Sequence, residues 1–385
     1  MECNTREFVV DTDSLYNYFE TIKDTRKKRG IRYSLPTILL LVVLAKLCGE
    51  DKPYAIADWV QHRKEMFLES LCLGYRRLPH HSTYSRILEL CESEIDRVVS
   101  EFLGKLSGVD GCQVIAFDGK TVRGTITEKD RFGLHLLAAY IPGTGIVLKQ
   151  LAVEKDKENE IGVARQLLAS LNLEEKVVVG DAMHTQRGLS SQIVDAGGDY
   201  LWIVKDNQPK TRAALEQLFA PQKRMPGQGC PAMDFSTAKT TQKEHGRLEE
   251  RTITVSSLLN EYIDWHSVQQ VFKLERHFTY ASSGKVHHEI HYGITSLNPK
   301  QATPQKLLEI ARSEWRIENG LHYRRDVTFN EDKTRMTSKP MARSMTCINN
   351  LIIALFCKHG FSNHAHARRV FDANPLSALS LICRL

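Results

Sequence analysis

Several features that mark common protein classes are scarce or missing in this sequence. Its nine cysteines are scattered with no C-x-x-C pair, so neither a disulfide framework nor a structural zinc site is indicated, and a reducing compartment fits best. No apolar run approaches the roughly 20 residues that a membrane span requires; the longest is Ile38 to Ala45, read as a buried helix. The opening residues, MECNTREFVV, are acidic and mixed, unlike a secretion signal. A cytoplasmic location without a membrane partner is expected. There is also no glycine-rich phosphate loop, no Ser-His-Asp order and no candidate cysteine nucleophile, which removes the usual nucleotide-binding and acyl-transfer sites.

What is present suits a globular protein of two or three compact units. The chain has 385 residues, 42% hydrophobic and 25% charged, with a net charge of +6. That excess suits a polyanionic partner. The first hundred residues read as helical. Leu15, Tyr18, Phe19 and Ile22 recur at helical spacing, followed by the basic run Arg26 to Arg29, either a solvated face or a phosphate track. Ser34 and Pro36 signal a helix start, Ile56, Trp59, Val60, Met66 and Phe67 form a further amphipathic segment, and Ser82 is expected to cap a helix carrying Tyr84, Ile87 and Leu88. Such helices with basic connections suit a helix-turn-helix type DNA reader or a packing domain. The GVDG stretch at 108–111 marks the expected boundary: an all-helical N-terminal domain over 1–108, and a second domain over 109–385.

The second domain is organised around Gln113 to Gly124, QVIAFDGKTVRG. Val114 to Phe117 reads as a buried strand that stops at Asp118, presenting a carboxylate at a sheet edge. Leu134–Tyr140 and Gly145–Val153 add two strands around a Pro142–Gly145 turn. A helix follows with Ile161, Ala164, Leu167, Leu168 and Leu171 on one side, then the strand KVVVG, also ending in a carboxylate, Asp181. A helix over Gln186–Ala196 and a strand over Asp199–Val204 complete the order of an RNase H-like α/β domain, with a mixed sheet and helices on both faces.

From about 209 to 297 the pattern becomes a β-rich insertion. A helix over Thr211–Phe219 and the loop PQKRMPGQGCP lead into strand-like segments at Arg251–Val255, Gln270–Leu274 and Val286–Ile294. His287, Glu289 and His291 alternate on one face there and are read as solvated positions rather than metal ligands. Lys243, Arg247 and Arg251 either touch DNA or keep the insertion soluble.

A third carboxylate lies on the next helix, Pro304 to about Tyr323, where Leu308, Ala311 and Trp315 form a stripe that continues to Glu318. A glutamate on an apolar stripe is costly unless a charge or metal satisfies it. Two strand-end aspartates and one helical glutamate are what two-metal phosphoryl transfer needs. Asp118 would bridge two Mg²⁺ (or Mn²⁺) ions about 4 Å apart, Asp181 holding one and Glu318 the other. Asp195, Asp199 and Asp206 are read as surface residues, and His184 as a satisfied loop histidine.

The blocks IAFDGKTVRG, KENEIGVARQLL, VVVGDAMHTQ, GGDYLWIVKDNQ, HGRLEER and WRIENGLHYRRDVTFNED, with ILLLVVLAKLCGED near the start, resemble those of the H-repeat-associated transposases. These are bacterial insertion-sequence enzymes of the DDE superfamily, and the resemblance covers nearly the whole chain. It implies an RNase H-like core, a β insertion before the catalytic helix, and Asp118, Asp181 and Glu318 as the DDE triad. It further implies metal-dependent cleavage at element ends, strand transfer into double-stranded target DNA, a homodimer or larger synaptic assembly, and a nucleoid-associated protein. Lys120, Arg123, Arg312, Arg316 and Arg325 are the expected DNA contacts. The alternatives are a nuclease of the same fold that does not join ends, and a relic that only binds DNA. The wider superfamily often has Tyr and Arg upstream of the glutamate and Lys seven residues after it. Here Ala311, Glu314 and Arg325 take those places, and Glu314 also stands where the family usually has His.

Overall fold

The computed structural model describes residues 14–29, 31–107, 113–153, 160–221, 234–244, 247–280 and 283–383. The expected domain boundary at 108–111 and most of the loop at 221–231 lie outside them.

The N-terminal part is helical: α1 (Leu15–Glu20), α2 (Leu35–Leu47), α3 (Pro53–His62), α4 (Lys64–Ser70), α5 (His81–Leu90) and α6 (Glu92–Leu106). Ser34 caps α2 by accepting the Thr37 N–H at 3.2 Å, and Pro36 occupies the first turn, where its missing N–H costs nothing. α2 is apolar all round because it is buried all round. α5 begins two residues earlier than a Ser82 cap would place it. Its cap is the His80 imidazole, which accepts the Ser82 N–H.

The second part opens with β1 (Gln113–Val122), β2 (Leu134–Ile141), β3 (Ile146–Val153), α7 (Glu160–Ala169), β4 (Lys176–Gly180), α8 (Arg187–Asp195), β5 (Asp199–Val204) and α9 (Pro209–Phe219). The insertion adds β6 (Ser236–Glu244), β7 (Arg247–Ser256), β8 (Gln270–Tyr280) and β9 (Val286–Thr295). Among the described residues all of these strands join one sheet, in the order β3-β2-β1-β4-β5-β9-β8-β7-β6. β1, β4 and β5 are parallel, while β2 runs antiparallel to both β1 and β3. That is the RNase H-like arrangement. The insertion continues the sheet through antiparallel pairing of β9 with β5, from Leu201↔Thr295 to Val204↔Tyr292.

β1 does not stop at Asp118. It runs on to Val122, paired with β2 from Asp118↔Ala138 to Val122↔Leu134, whereas its parallel pairing with β4 ends at Phe117↔Gly180. Asp118 therefore sits where β1 loses one neighbour and keeps the other. Its backbone stays in the sheet while its side chain gains open space.

After the sheet come α10 (Pro304–Ile317), a π-helical continuation through Glu318–His322 and Arg324–Thr328, and then α11 (Lys339–Lys358), α12 (His364–Ala373) and α13 (Pro375–Cys383). Alternate residues of the inner strands feed two cores. Ala116, Val177, Val179 and Leu201 pack with α10, α11 and the N-terminal helices. Ile115, Phe117, Val178 and Trp202 pack with α7, α8 and α9. Both faces are covered, which is why β4 and β5 read as unbroken apolar runs. By length and composition α11 could cross a membrane, but 78% of its apolar stretch is buried here, as in a core helix.

The N-terminal helices and the second part share the first of these cores. Polar links reinforce it: Trp59 Nε1 donates to Asp372 at 2.8 Å, Arg368 Nη2 to Asp51 at 2.9 Å, and the Ser344 hydroxyl to the Leu88 carbonyl at 2.6 Å. The two regions are distinct in sequence but not independent in packing.

Candidate active site

The strand parity that buries Ala116 and Val179 also turns Asp118 and Asp181 toward α10. They occupy the next positions after the last parallel pair, Phe117↔Gly180. Gly119 N–H donates to Asp118 Oδ1 at 2.8 Å. Burial pushes the Asp118 carboxyl above its ordinary value; His322 and the Gly119 N–H pull it down, and the charge of Asp181 pushes it up again.

The third side of the site comes from the end of α10. Glu318 and His322 lie in the π-helical turn, which holds about one residue more per turn than an α-helix and so brings residues four apart nearly onto one line. His322 Nδ1 is 3.2 Å from Glu318 Oε2 and 3.6 Å from Asp118 Oδ2. Ligand atoms of Asp118, Glu318 and His322 all lie within 4.8 Å of one another. Two carboxylates and an imidazole suit a divalent cation with hard or borderline character. The Glu318–His322 spacing was visible in ENGLH, but the role of His322 was not.

Asp181 is held differently. His184, fully buried, donates from Nδ1 to Asp181 Oδ1 at 2.8 Å, and its Nε2 lies 3.4 Å from Glu160 Oε1. His135 Nε2 donates to Glu160 Oε2 at 2.9 Å, and His135 Nδ1 meets the Thr121 hydroxyl at 2.8 Å. Burial alone would lower the His184 pKa, but Asp181 and Glu160 carry it up to about 9. Burial would raise Glu160, yet the two histidines bring it down to about 2. His184 is therefore only half the satisfied histidine expected: Nδ1 is bonded to the aspartate of interest, while the buried Nε2 has the charge of Glu160 nearby but no hydrogen-bond partner. Glu160 was missed by sequence reasoning. Its only signal was a carboxylate heading the α7 apolar stripe, four residues before Ala164.

This chain of groups carries a pH signature. Glu160, depressed, contributes stability that is complete above its ordinary 4.5 and is lost as pH falls toward about 2. His184, raised, contributes stability that is complete below its ordinary 6.5 and is lost as pH rises through about 9. In metal-free buffer, thermal melts are expected to show stability falling between pH 6.5 and 9, by on the order of 3 kcal/mol at most. His184→Asn should start less stable and show no such decline. An unchanged slope in the variant would reassign the proton.

Gly119 makes room for this pair. A Cβ there would stand 2.5 Å from His135 Nε2 and 2.7 Å from Glu160 Oε1. Gly119→Ala is expected to destabilise the protein by about 1–3 kcal/mol, the cost of overpacking. A melting temperature equal to wild type would show that the pair can move aside.

Glu314 lies one turn before Glu318 and is partly buried. Burial, Asp181 and Asp118 push it up to about 7, against the opposing charges of Lys205 and Arg276. Trp315, placed on the Glu318 stripe by sequence, instead meets the Arg276 guanidinium 4.7 Å from its ring centroid. Glu314, like Glu318, lies on the side of the helix toward the site, close enough for the charges of both aspartates to act on it.

The expected DNA contacts divide. Arg312 and Arg316 line a groove of about 1160 Å³ with Arg247, Arg251, Arg276 and Arg324, between the insertion strands and α10 with its π-helical continuation. Arg123 is exposed, 3.8 Å from Asp332. Two assignments are corrected. Lys120 is turned inward by strand parity and pairs with Asp326 at 2.7 Å. Arg325 is 0% exposed and ion-paired with Glu331 at 2.7 Å; neither has a surface to offer DNA. In the insertion, Glu289 pairs with Arg276 at 2.9 Å and His287 stacks on Phe278, so that trio is occupied by protein neighbours.

Against known families, residues 111–355 match the transposase DDE domain, and residues 16–103 match the DDE_Tnp_1-associated family. This chain belongs to the DDE-domain transposase family. Among its relatives, "Putative transposase YncI" of Escherichia coli O157:H7 is 29% identical over 91% of this chain and 89% of its own length. "H repeat-associated putative transposase YhhI" of Escherichia coli K12 is 26% identical over 89% of this chain and 90% of its own. A piggyBac transposase synaptic complex with hairpin DNA, seen by cryo-EM, aligns at TM-score 0.42 and 11% identity, covering 97% of this chain and 78% of that one. In this transposase the acidic cluster is the candidate catalytic centre, beside the arginine-lined groove.

Proposed function

We propose that this transposase cuts DNA at the ends of its own element and joins the freed ends to target DNA, with Asp118, Asp181 and Glu318 as its catalytic carboxylates. The observation that supports the reading is that Asp118, Glu318 and His322 offer ligand atoms within 4.8 Å of one another, with Asp181 close enough for its charge to act on Asp118, and that Arg312 and Arg316 line a groove with Trp315 and Asn319 of the same helical segment. When bound by Asp118 and Asp181 and by Asp118, Glu318 and His322, divalent ions (Mg²⁺ or Mn²⁺) supply Lewis-acid chemistry for in-line phosphodiester displacement. His184 and Glu160 fix the Asp181 carboxylate, and the arginine groove lines up the scissile strand and offsets its phosphate charge.

In the first step a water oxygen bonds to phosphorus as the P–O3′ bond breaks, leaving a 3′-hydroxyl and a 5′-phosphate. In the second, that hydroxyl bonds to a target phosphorus and displaces a target 3′-oxygen. One site serves both steps, so no covalent protein intermediate is needed. Two ends must be held together for joining, which calls for a homodimer or larger assembly acting on chromosomal DNA.

The test is an assay with end-labelled element DNA and Mg²⁺ or Mn²⁺. Cut and joined products support the reading. Cutting without joining makes the protein a nuclease, and binding without cutting makes it a relic.

A further inference from the structure

A second cationic groove lies in the N-terminal helices, formed by residues distinct from those of the catalytic groove. It has a volume of about 1200 Å³ and is built by the 26–33 segment, the 76–81 segment and one face each of α3 and α5. Lys27, Arg29, Arg32, Arg76, Arg77 and Arg86 line it, and all six are exposed. None of them has a carboxylate within ion-pair distance among the described residues. The carboxylate that does line it, Asp58, is 3.6 Å from His62. A folded protein gains nothing by clustering unpaired like charges, which repel one another.

The scaffold beneath those charges is fixed. Arg26 does not serve as a free cation: its Nε and Nη2 donate to Asp24 at 2.9 and 2.6 Å, and Nη2 also donates to the Tyr33 carbonyl at 2.9 Å, pinning the turn. The Tyr33 hydroxyl donates to the Leu78 carbonyl at 3.2 Å, and the Ser34 N–H donates to the Tyr75 hydroxyl at 3.1 Å. These bonds tie the basic run to Arg76 and Arg77, far away in sequence, so the cations face one groove. Leu78 and Ile87, both buried, anchor it from below.

We infer that this groove is a second DNA-binding site, taking a phosphodiester backbone ridge of duplex DNA by its charge rather than by its base sequence. The inference rests on the transposase reading only in naming DNA as the polyanion. Guanidinium groups match phosphate oxygens in bidentate geometry. The exposed arginines outnumber the aromatic faces that a single-strand platform needs for stacking, so the duplex is favoured. The site would hold DNA while the catalytic groove holds the strand being cut.

The test uses the full chain, because the N-terminal helices share their core with the C-terminal ones. Binding of a labelled random-sequence duplex is measured across a salt series for wild type and the triple variant Arg76→Gln, Arg77→Gln, Arg86→Gln. Each lost phosphate contact lowers the slope of log affinity against log salt by about 0.9. The triple variant should lose roughly 2–3 of that slope and about 10–100-fold in affinity at moderate salt, with an unchanged melting temperature. A second triple, Lys27→Gln, Arg29→Gln, Arg32→Gln, should act alike, and Arg76→Lys with Arg77→Lys should restore much of the slope. Wild-type affinity and slope in both triples would overturn the proposal. Equal affinity for a single strand of the same length would overturn the duplex assignment. If wild type never cleaves but the triples still bind weakly, the catalytic reading fails and this one stands.

Discussion

Asp118→Asn is expected to lower metal-dependent cleavage by about 10³-fold or more while leaving duplex binding intact. The substitution keeps the shape of the side chain and its bond to the Gly119 N–H, but it removes the anionic oxygens around which the site is built. Asp181→Asn and Glu318→Gln should behave alike, since Asp181 ends the strand beside Asp118 and Glu318 approaches Asp118 from the helix. Glu314 provides the contrast. With its pKa near 7 it is partly protonated at working pH, so Glu314→Gln should change the cleavage rate by less than about tenfold. If Glu314→Gln abolishes cleavage and Glu318→Gln spares it, the third carboxylate is Glu314, and the triad must be redrawn one helical turn earlier. If all four variants cut normally, the chemistry lies elsewhere.

The second large effect concerns stability. Arg325 is fully buried and donates from Nε to Glu331 at 2.9 Å. The other Glu331 oxygen accepts from the Thr346 hydroxyl at 2.8 Å and from Asn349 Nδ2 at 3.0 Å. Complete burial would raise the Glu331 carboxyl, yet Arg325 and these bonds hold it below its ordinary value. Arg325→Ala would strand that carboxylate in the core, at a cost of about 3–5 kcal/mol. A fall in Tm of roughly 10 °C follows. Adding Glu331→Gln should recover part of the loss, because the two residues form one unit. A DNA contact would behave in the opposite way, with normal Tm and a weaker salt dependence of binding. That result would reverse the correction made to Arg325.

The fold was largely legible because both faces of the inner sheet are covered. KVVVG and DYLWIV carry no alternation that could be mistaken for a surface strand. The aspartates were legible for the same reason, since a charge directly after such a run marks the sheet edge. The end of β1 was not, because its later residues keep only the β2 neighbour, and one-sided pairing leaves little apolar signature. Depth was harder still. Lys120 and Arg325 look like surface cations in any window of sequence, and only long-range pairing with Asp326 and Glu331 makes burial affordable. Glu160 acts through His135 and His184, far away in the chain, so no local pattern could assign it; His322 has a local partner in Glu318, but its approach to Asp118 is long-range. The N-terminal boundary was read from composition, whereas the core is shared between helices at both ends of the sequence.

That shared core sets a timetable for synthesis. α2 is wrapped by α1, α3 and α5 and also by α11, α12 and α13, so a helix made early is covered by helices made roughly 300 residues later. At ribosomal rates of about 5–20 residues per second, a long apolar helix waits on the order of tens of seconds for its cover. An unfinished chain therefore exposes α2 and is a substrate for chaperones or proteases, so a nonsense fragment lacking α11–α13 would be cleared before it could act on DNA. Only a chain translated to its final helices presents a closed core behind its carboxylates.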